Sequence, residues 1–423
     1  MSENKFKRVI GRLGVAALAI NGLIGAGIFA LPSAAAGIAG LFSPWMFLLC
    51  SLLMATILLC FAQLSAGFDD NGGPVAYTER AFGHQLAFQT TWLLYIGRVT
   101  ALAANANALV FYLSQFFVMF AEPLYKGIAI VFILCSLGGV NIFNAAKAMR
   151  IIHAITLIKL APLLLFIGFG IPYLTAEIFD LATIEQVTDF DGALLLLIYA
   201  YIGFEGAVVP AGETKNPKQQ IAKALIATLL ATSVLYFFIQ WVSVSAITEL
   251  SASKTPMSDV AYITMGQAGL VIMTLAAIFS ISGNLTVVIF TASRMTQSLA
   301  QLGQLPTWFA KSHDVENSPI HSTYFLVVLA GGLALTGSFV WLAIISSLAR
   351  LIGFVISIAA LIKLHDDFKQ AGHWFLPAGK ILPLVSLLVC GWLSIQASVT
   401  SWLMTGLFML LGFALFHWNK RVQ

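Results

Sequence analysis

Charge is what this chain has least of. Only 9% of its 423 residues are Asp, Glu, Lys or Arg, and 59% are hydrophobic, whereas a soluble domain carries about 25% charged residues. With a mean hydropathy of +0.92, too few solvated side chains are present to cover a soluble globule. Alternating polar and apolar segments are also missing. The apolar runs are continuous and long, which excludes a β-barrel and leaves an all-α integral membrane protein. Cysteine is sparse: Cys50, Cys60, Cys135 and Cys390 each fall inside an apolar run. Their spacing fits small core residues, not a disulfide frame or a metal site. The chain has no His-Glu-x-x-His, no P-loop and no Gly-x-Ser-x-Gly, so an intramembrane enzyme has no motif to rest on. No cofactor and no metal are expected. No pore ring and no appended soluble domain argue for a channel or a sensor; the longest cytoplasmic connection is only about 293–320. A cleavable signal peptide is not expected, because the first apolar run is too long and carries glycines where a cleavage site would be.

What is present is a series of apolar runs of about 20 residues, the length that crosses a bilayer. About twelve are predicted, near 13–36, 43–66, 86–120, 126–146, 151–174, 191–211, 222–246, 267–292, 321–339, 341–362, 381–399 and 401–418. The net charge of +4 is no signal for nucleic acid, because the bases follow the membrane. With the N-terminus inside, Lys5, Arg12, Arg80, Arg150, Lys218, Arg294, Lys363 and Lys420 fall in cytoplasmic segments, and only Lys126 and Lys254 fall outside. That asymmetry puts both termini, 1–12 and 419–423, in the cytoplasm. The outer loop between spans five and six carries Glu177, Asp180, Glu185, Asp189 and Asp191 with no base; it is expected to be a solvated acidic face.

The first span contains Gly22-Leu23-Ile24-Gly25-Ala26-Gly27-Ile28-Phe29. Three glycines in six positions weaken a helix by about 1 kcal/mol each, and a backbone freed from its helix in lipid must line a cavity or be buried in protein. The stretch therefore reads either as a broken helix offering amides to a small zwitterion or as a surface for close helix packing. The sixth span repeats the pattern with Tyr199-Ala200-Tyr201-Ile202-Gly203-Phe204-Glu205-Gly206 and then Pro210. Five spans separate the two breaks, so the helices run in opposite directions, as in paired interrupted helices of transporters.

Four charges lie within spans: Arg98, Lys159, Arg350 and Glu205. Such charges mark function by default. Arg98, followed by Asn105 and Asn107, must find a partner, and Glu205 is the one intramembrane acid. Structural pairing is expected for Arg98 and Arg350. For Glu205, capping or pairing with a base stands beside a part in transport. Lys159 lies about eight residues into its span, ~12 Å deep. It either snorkels to the inner surface or serves as a group that loads and releases a proton. His153 is read as interfacial.

Several stretches, in order, resemble the amino acid–polyamine–organocation superfamily, and its amino-acid permeases in particular. They are Gly25-Ala26-Gly27-Ile28-Phe29 with Pro32; Gly72-Gly73-Pro74-Val75-Ala76-Tyr77 with Ala81-Phe82-Gly83; Ile202-Gly203-Phe204-Glu205 with Glu213-Thr214-Lys215-Asn216-Pro217; and Arg294 with Leu299-Ala300, Gly303 and Leu305-Pro306. The resemblance implies a LeuT-like arrangement: two inverted five-helix repeats, 13–174 and 191–362, then two further helices over 381–418, with helices one and six broken. It implies a substrate carboxylate held by the amides of Gly25, Ala26 and Gly27. The ammonium would face carbonyls near Asn21 and Ile24 and those of Tyr199 and Ile202. Tyr199 matches an aromatic gate, and Phe204 is the neighbouring aromatic for the side-chain pocket. Lys159 matches a lysine of some members, standing where sodium-coupled relatives hold sodium, with Ser280, Ser282 and Asn284 as polar neighbours. The implied function is transport of amino acids, with protons as the coupled partner, across a bacterial inner membrane. Neutral or apolar substrates are favoured by the Ala, Ile, Phe and Tyr lining, and a cationic substrate paired with Glu205 is the alternative.

Overall fold

The computed structural model describes residues 11–68, 73–143, 159–208, 214, 216–312, 318–370 and 379–422. Gly72, Lys147, Arg150, His153, Pro210, Glu213 and Lys215 lie outside them, as do most of the N-terminal segment and the last residue. Among the described residues the regular structure is helical: α1 (Arg12–Leu23), α2 (Gly27–Ala39), α3 (Ser43–Ala66), α4 (Pro74–Phe82), α5 (His84–Leu113), α6 (Pro123–Phe143), α7 (Leu160–Gly170), α8 (Phe190–Tyr201), α9 (Glu205–Val208), α10 (Pro217–Ala246), α11 (Pro256–Gln301), α12 (Ile320–Thr336), α13 (Phe339–Gln370), α14 (Ile381–Ile395) and α15 (Val399–Val422), with short 3₁₀ turns between. Extended pairing is limited, among those residues, to one bridge between Ser312 and Pro319.

Among the described residues, seven stretches are long and apolar enough to cross a bilayer: Gly27–Ala66, His84–Leu113, Pro123–Ile142, Gln220–Ala246, Pro256–Gln301, Phe339–Lys369 and Val399–Asn419. Five shorter apolar helices lie at Gly14–Leu23, Leu160–Tyr173, Phe190–Tyr201, Ile320–Thr336 and Ile381–Ile395. Large apolar side chains such as Leu52, Phe132, Leu230, Val328, Leu388 and Leu410 are exposed around the outside, as lipid contact requires. The chain is an integral membrane protein.

Helices outrun the apolar runs that announce them. The run at 267–292 belongs to a helix that starts at Pro256 and bends at Gly266, whose φ of 66° is a conformation that glycine adopts without a Cβ penalty. The run at 341–362 continues as helix to Gln370 through Lys363, His365 and Asp366, since hydropathy ends where charge begins and hydrogen bonding does not. The run at 86–120 does the opposite and stops at Leu113, followed by a 3₁₀ turn at Val118–Ala121.

The acidic loop between α7 and α8 is more than a solvated face. Its 3₁₀ turns, Ala176–Phe179 and Leu181–Gln186, bury Ile178 and Thr183. The indole of Trp45 donates to Ile178 O at 2.8 Å, and Leu41 N donates to Gln186 Oε1 at 3.0 Å. Asp180 and Asp189 accept from Ala182 N and Gly192 N. Asp180 thus caps the 3₁₀ turn that follows it and Asp189 caps α8.

Inside, α13 packs along α5, α10 along α3 and α1 along α10. Apolar attraction between helices is weak in lipid, so close approach of small residues takes its place. One such approach joins the two breaks, backbone against backbone: a Cβ added to Gly22 would lie 2.4 Å from Gly203 O.

Candidate functional site

Both glycine stretches interrupt their helices. α1 ends at Leu23, Ile24 takes φ −86° and ψ 80°, and α2 restarts at Gly27. α8 ends at Tyr201, Ile202 is extended (ψ 147°), Gly203 has φ 122°, and α9 starts at Glu205. The first amides of a helix and the last carbonyls of another lack intrahelical partners, and here both kinds meet deep inside the molecule. Glycine at 22 and 203 is what lets the two backbones touch.

The carbonyls released by the first break are already taken. Lys159 Nζ donates to Ile24 O at 2.7 Å and to Asn21 Oδ1 at 2.9 Å. Tyr236 OH donates to Leu23 O at 2.8 Å and to Ala200 O at 3.3 Å, so one hydroxyl of α10 spans both broken helices. Asn284 Nδ2 reaches Asn21 O at 3.4 Å. The expectation that carbonyls near Asn21 and Ile24 face a substrate ammonium therefore meets a lysine and an asparagine in those places. Gly25 N is turned back to Leu23 O at 3.1 Å. Of the three residues expected to hold a carboxylate, Ala26 and Gly27 stand at the start of α2, where amides are free.

Lys159, the residue before α7, is only 4% exposed. Its ammonium points into the bundle, which is incompatible with snorkelling to the inner surface. Neither hydrogen bond goes to Ser280, Ser282 or Asn284. Ser280 Oγ is buried and has no hydrogen-bond partner among the described residues. Ser282 is partly exposed, its carbonyl accepting from Thr286.

Tyr199 sits under Phe339, edge to face at 5.8 Å. Its hydroxyl donates to Asn105 Oδ1 at 2.5 Å and lies 3.4 Å from Ala101 O. Asn105 Nδ2 in turn donates to Asn284 Oδ1 at 2.8 Å. Phe204 is wholly buried between Phe61 and Phe354; it packs behind the break instead of walling an open pocket.

Glu205 does not pair with Arg98. Its Oε1 lies 3.5 Å from Arg350 Nε, an ion pair without hydrogen-bond geometry, and its Oε2 accepts from Gly203 N at 2.8 Å. The acid therefore caps the half-helix it begins and faces the arginine of α13. The Nη1 of Arg98 instead donates to Thr291 Oγ1 of α11 at 3.1 Å. Sequence alone did not single out Tyr236, Gln240 or the part played by Asn105. Gln240 Nε2 donates to Pro32 O at 3.1 Å. The available signal was a polar side chain inside an apolar span, which is costly unless satisfied.

Two broken helices are thus in contact, with a buried lysine bonded to one and an acid capping the other. The chain is 25% identical to the methylthioribose transporter of Bacillus subtilis (strain 168), over 94% of this chain and 90% of that protein. It is 23% identical to the branched-chain amino acid permease BcaP of the same organism, over 96% and 92%. A family model for amino acid permeases matches residues 10–416, and the chain belongs to that family, a membrane transporter and not an enzyme.

Proposed function

We propose that the protein is a proton-linked secondary transporter of amino acids, a symporter or exchanger that works by alternating access. In this reading the chain crosses the bacterial inner membrane twelve times, with both termini in the cytoplasm. The spans make two inverted repeats, 13–174 and 191–362, followed by two helices over 381–418. The substrate carboxylate is held at the start of α2 by the amides of Ala26 and Gly27, beside Gly25. The ammonium faces the carbonyl ends of α8 at Tyr199 and Ile202. Tyr199 closes the site from the outside.

The observation that carries coupling is the pair of hydrogen bonds from Lys159 to Asn21 Oδ1 and Ile24 O. Protonated, the ammonium holds α7 to the end of α1. Without its proton it loses its charge and one donor, and the two charge states then favour different access states. A cationic substrate paired with Glu205 is the weaker reading, because Glu205 already faces Arg350 and caps Gly203.

Uptake driven by an imposed pH gradient in proteoliposomes tests this. Lys159→Ala is expected to lose gradient-driven uptake while keeping counterflow. Lys159→Arg is expected not to restore pH sensitivity, since arginine keeps its proton. Undiminished gradient-driven uptake in Lys159→Ala would remove Lys159 from the coupling step.

A further inference from the structure

Among the described residues, two guanidinium groups and a single carboxylate stand beside the breaks. Arg350 is 5% exposed. Its stem crosses α5 at Gly97, where a Cβ would lie 2.7 Å from Arg350 Cγ. Nη1 donates to Ser346 Oγ at 3.2 Å, while Nε and the facing Glu205 Oε1 make no hydrogen bond to any described residue. Arg98, the next residue along α5, is half-buried, and its Nε is likewise buried without a partner. Arg350 is near enough to Arg98, Glu205 and Tyr199 to interact electrostatically with all three. Arg98 also lies one turn from Ala101, whose carbonyl is 3.4 Å from Tyr199 OH.

Arginine cannot shed its charge in a protein. If Glu205 is assigned wholly to Arg350, Arg98 faces only the neutral hydroxyl of Thr291 among the described residues. Lys159 adds a third cationic side chain, bonded to neutral acceptors alone. Uncompensated charge within a membrane protein is costly and is kept for function. The surplus is positive, and the Nε of each arginine is a buried N–H group without an acceptor among the described residues, the kind of donor a carboxylate satisfies best.

We propose that Arg98, with Arg350 beside it, is the subsite for a side-chain carboxylate, so that the substrate is an acidic amino acid. The proposal rests on the transport reading and refines it. The α-carboxylate lies at the start of α2 and the second carboxylate reaches the guanidinium pair. A neutral substrate leaves Arg98 unanswered, and a cationic one is repelled. This charge outweighs the apolar lining that favoured neutral substrates in the sequence.

The test is uptake by the purified full-length protein in proteoliposomes, using radiolabelled glutamate, aspartate, leucine and lysine, each competed by the other three. Glutamate or aspartate should be carried, with leucine and lysine competing at least tenfold more weakly. Arg98→Gln should raise the KM for the acidic substrate at least tenfold, and Arg98→Lys should recover part of the loss, keeping the charge without the fork. Leucine carried with both acidic amino acids excluded would overturn the subsite and leave the transport reading standing. No amino acid carried at all would overturn both. An unchanged KM for the acidic substrate in Arg98→Gln, with the variant monodisperse on gel filtration, would also overturn the subsite. Wild-type selectivity decides the matter if that variant does not fold.

Discussion

The contact between Gly22 and Gly203 gives the sharpest prediction about stability. A Cβ on Gly22 would sit 2.4 Å from Gly203 O and 2.8 Å from Gly203 C. Non-bonded carbon contacts settle near 3.5–4.0 Å, so the two backbones must part by about 1 Å. Neither group is the end of a flexible side chain, and Tyr236 ties both helices from behind. Overpacking of this kind costs about 1–3 kcal/mol, and 2 kcal/mol is roughly a 30-fold change in an equilibrium. Gly22→Ala is therefore expected to melt earlier in detergent than wild type and to lose at least tenfold in uptake. Gly203→Ala should be worse, because φ 122° adds backbone strain of about 1–3 kcal/mol. The control is Gly332→Ala: a Cβ there meets nothing within 4 Å, and the change should be neutral or stabilising by up to about 1 kcal/mol. If Gly22→Ala melts and transports like wild type while Gly332→Ala does too, the two breaks do not pack together and the frame drawn for the site is wrong.

Three further outcomes are expected. Tyr199→Phe leaves Asn105 Oδ1 without its hydroxyl donor, a loss of about 1–3 kcal/mol, and should lower uptake several-fold; unchanged kinetics would remove Tyr199 from the gate. At Gly25 a Cβ would lie 3.0 Å from Asn284 Nδ2, the end of a side chain able to move, so Gly25→Ala should fold and weaken substrate binding and Gly25→Val should abolish it. Gly27→Val is a poorer probe, since its Cβ would press the backbone of Ala200 at 3.1 Å and unfold the contact it was meant to test. In a cysteine-free background, an impermeant thiol reagent applied to intact cells should label a cysteine at Ala182 and spare one at Gln219; labelling of Gln219 would invert the topology.

Membrane spans were legible because lipid imposes them. A backbone that cannot reach water must satisfy itself along a helix, so apolar length announces a crossing, and glycine with an adjacent acid announces where it fails. The breaks at Gly25 and Gly203 were readable for that reason. Partners were not readable. Glu205 had two arginines to choose from, and the choice of Arg350 depends on Gly97, whose missing side chain leaves room for the Arg350 stem across α5. No local pattern encodes that gap. Likewise the loop acids read as solvated because their capping bonds to Ala182 N and Gly192 N depend on local turns that hydropathy does not see.

One series of hydrogen bonds runs from Tyr199 to Lys159, the two residues to which the proposed cycle gives the gate and the coupling. Tyr199 OH donates to Asn105, Asn105 Nδ2 to Asn284, and Asn284 Nδ2 to Asn21 O, while Lys159 Nζ donates to Asn21 Oδ1. The series links α8, α5, α11 and α1 to the head of α7. Each asparagine accepts through an oxygen, and Asn105 and Asn284 pass the series on through their amide nitrogens. Buried polar groups of this kind are expensive when any one is left unpaired, and a change at Lys159 removes one donor from Asn21 Oδ1 and one from Ile24 O beside the start of α2. Asn284 already lies against Gly25, and one turn before it on α11 Ser280 has a buried hydroxyl with no partner among the described residues. In the proposed cycle, the proton on Lys159 and the shape of the substrate site are therefore set by the same few hydrogen bonds.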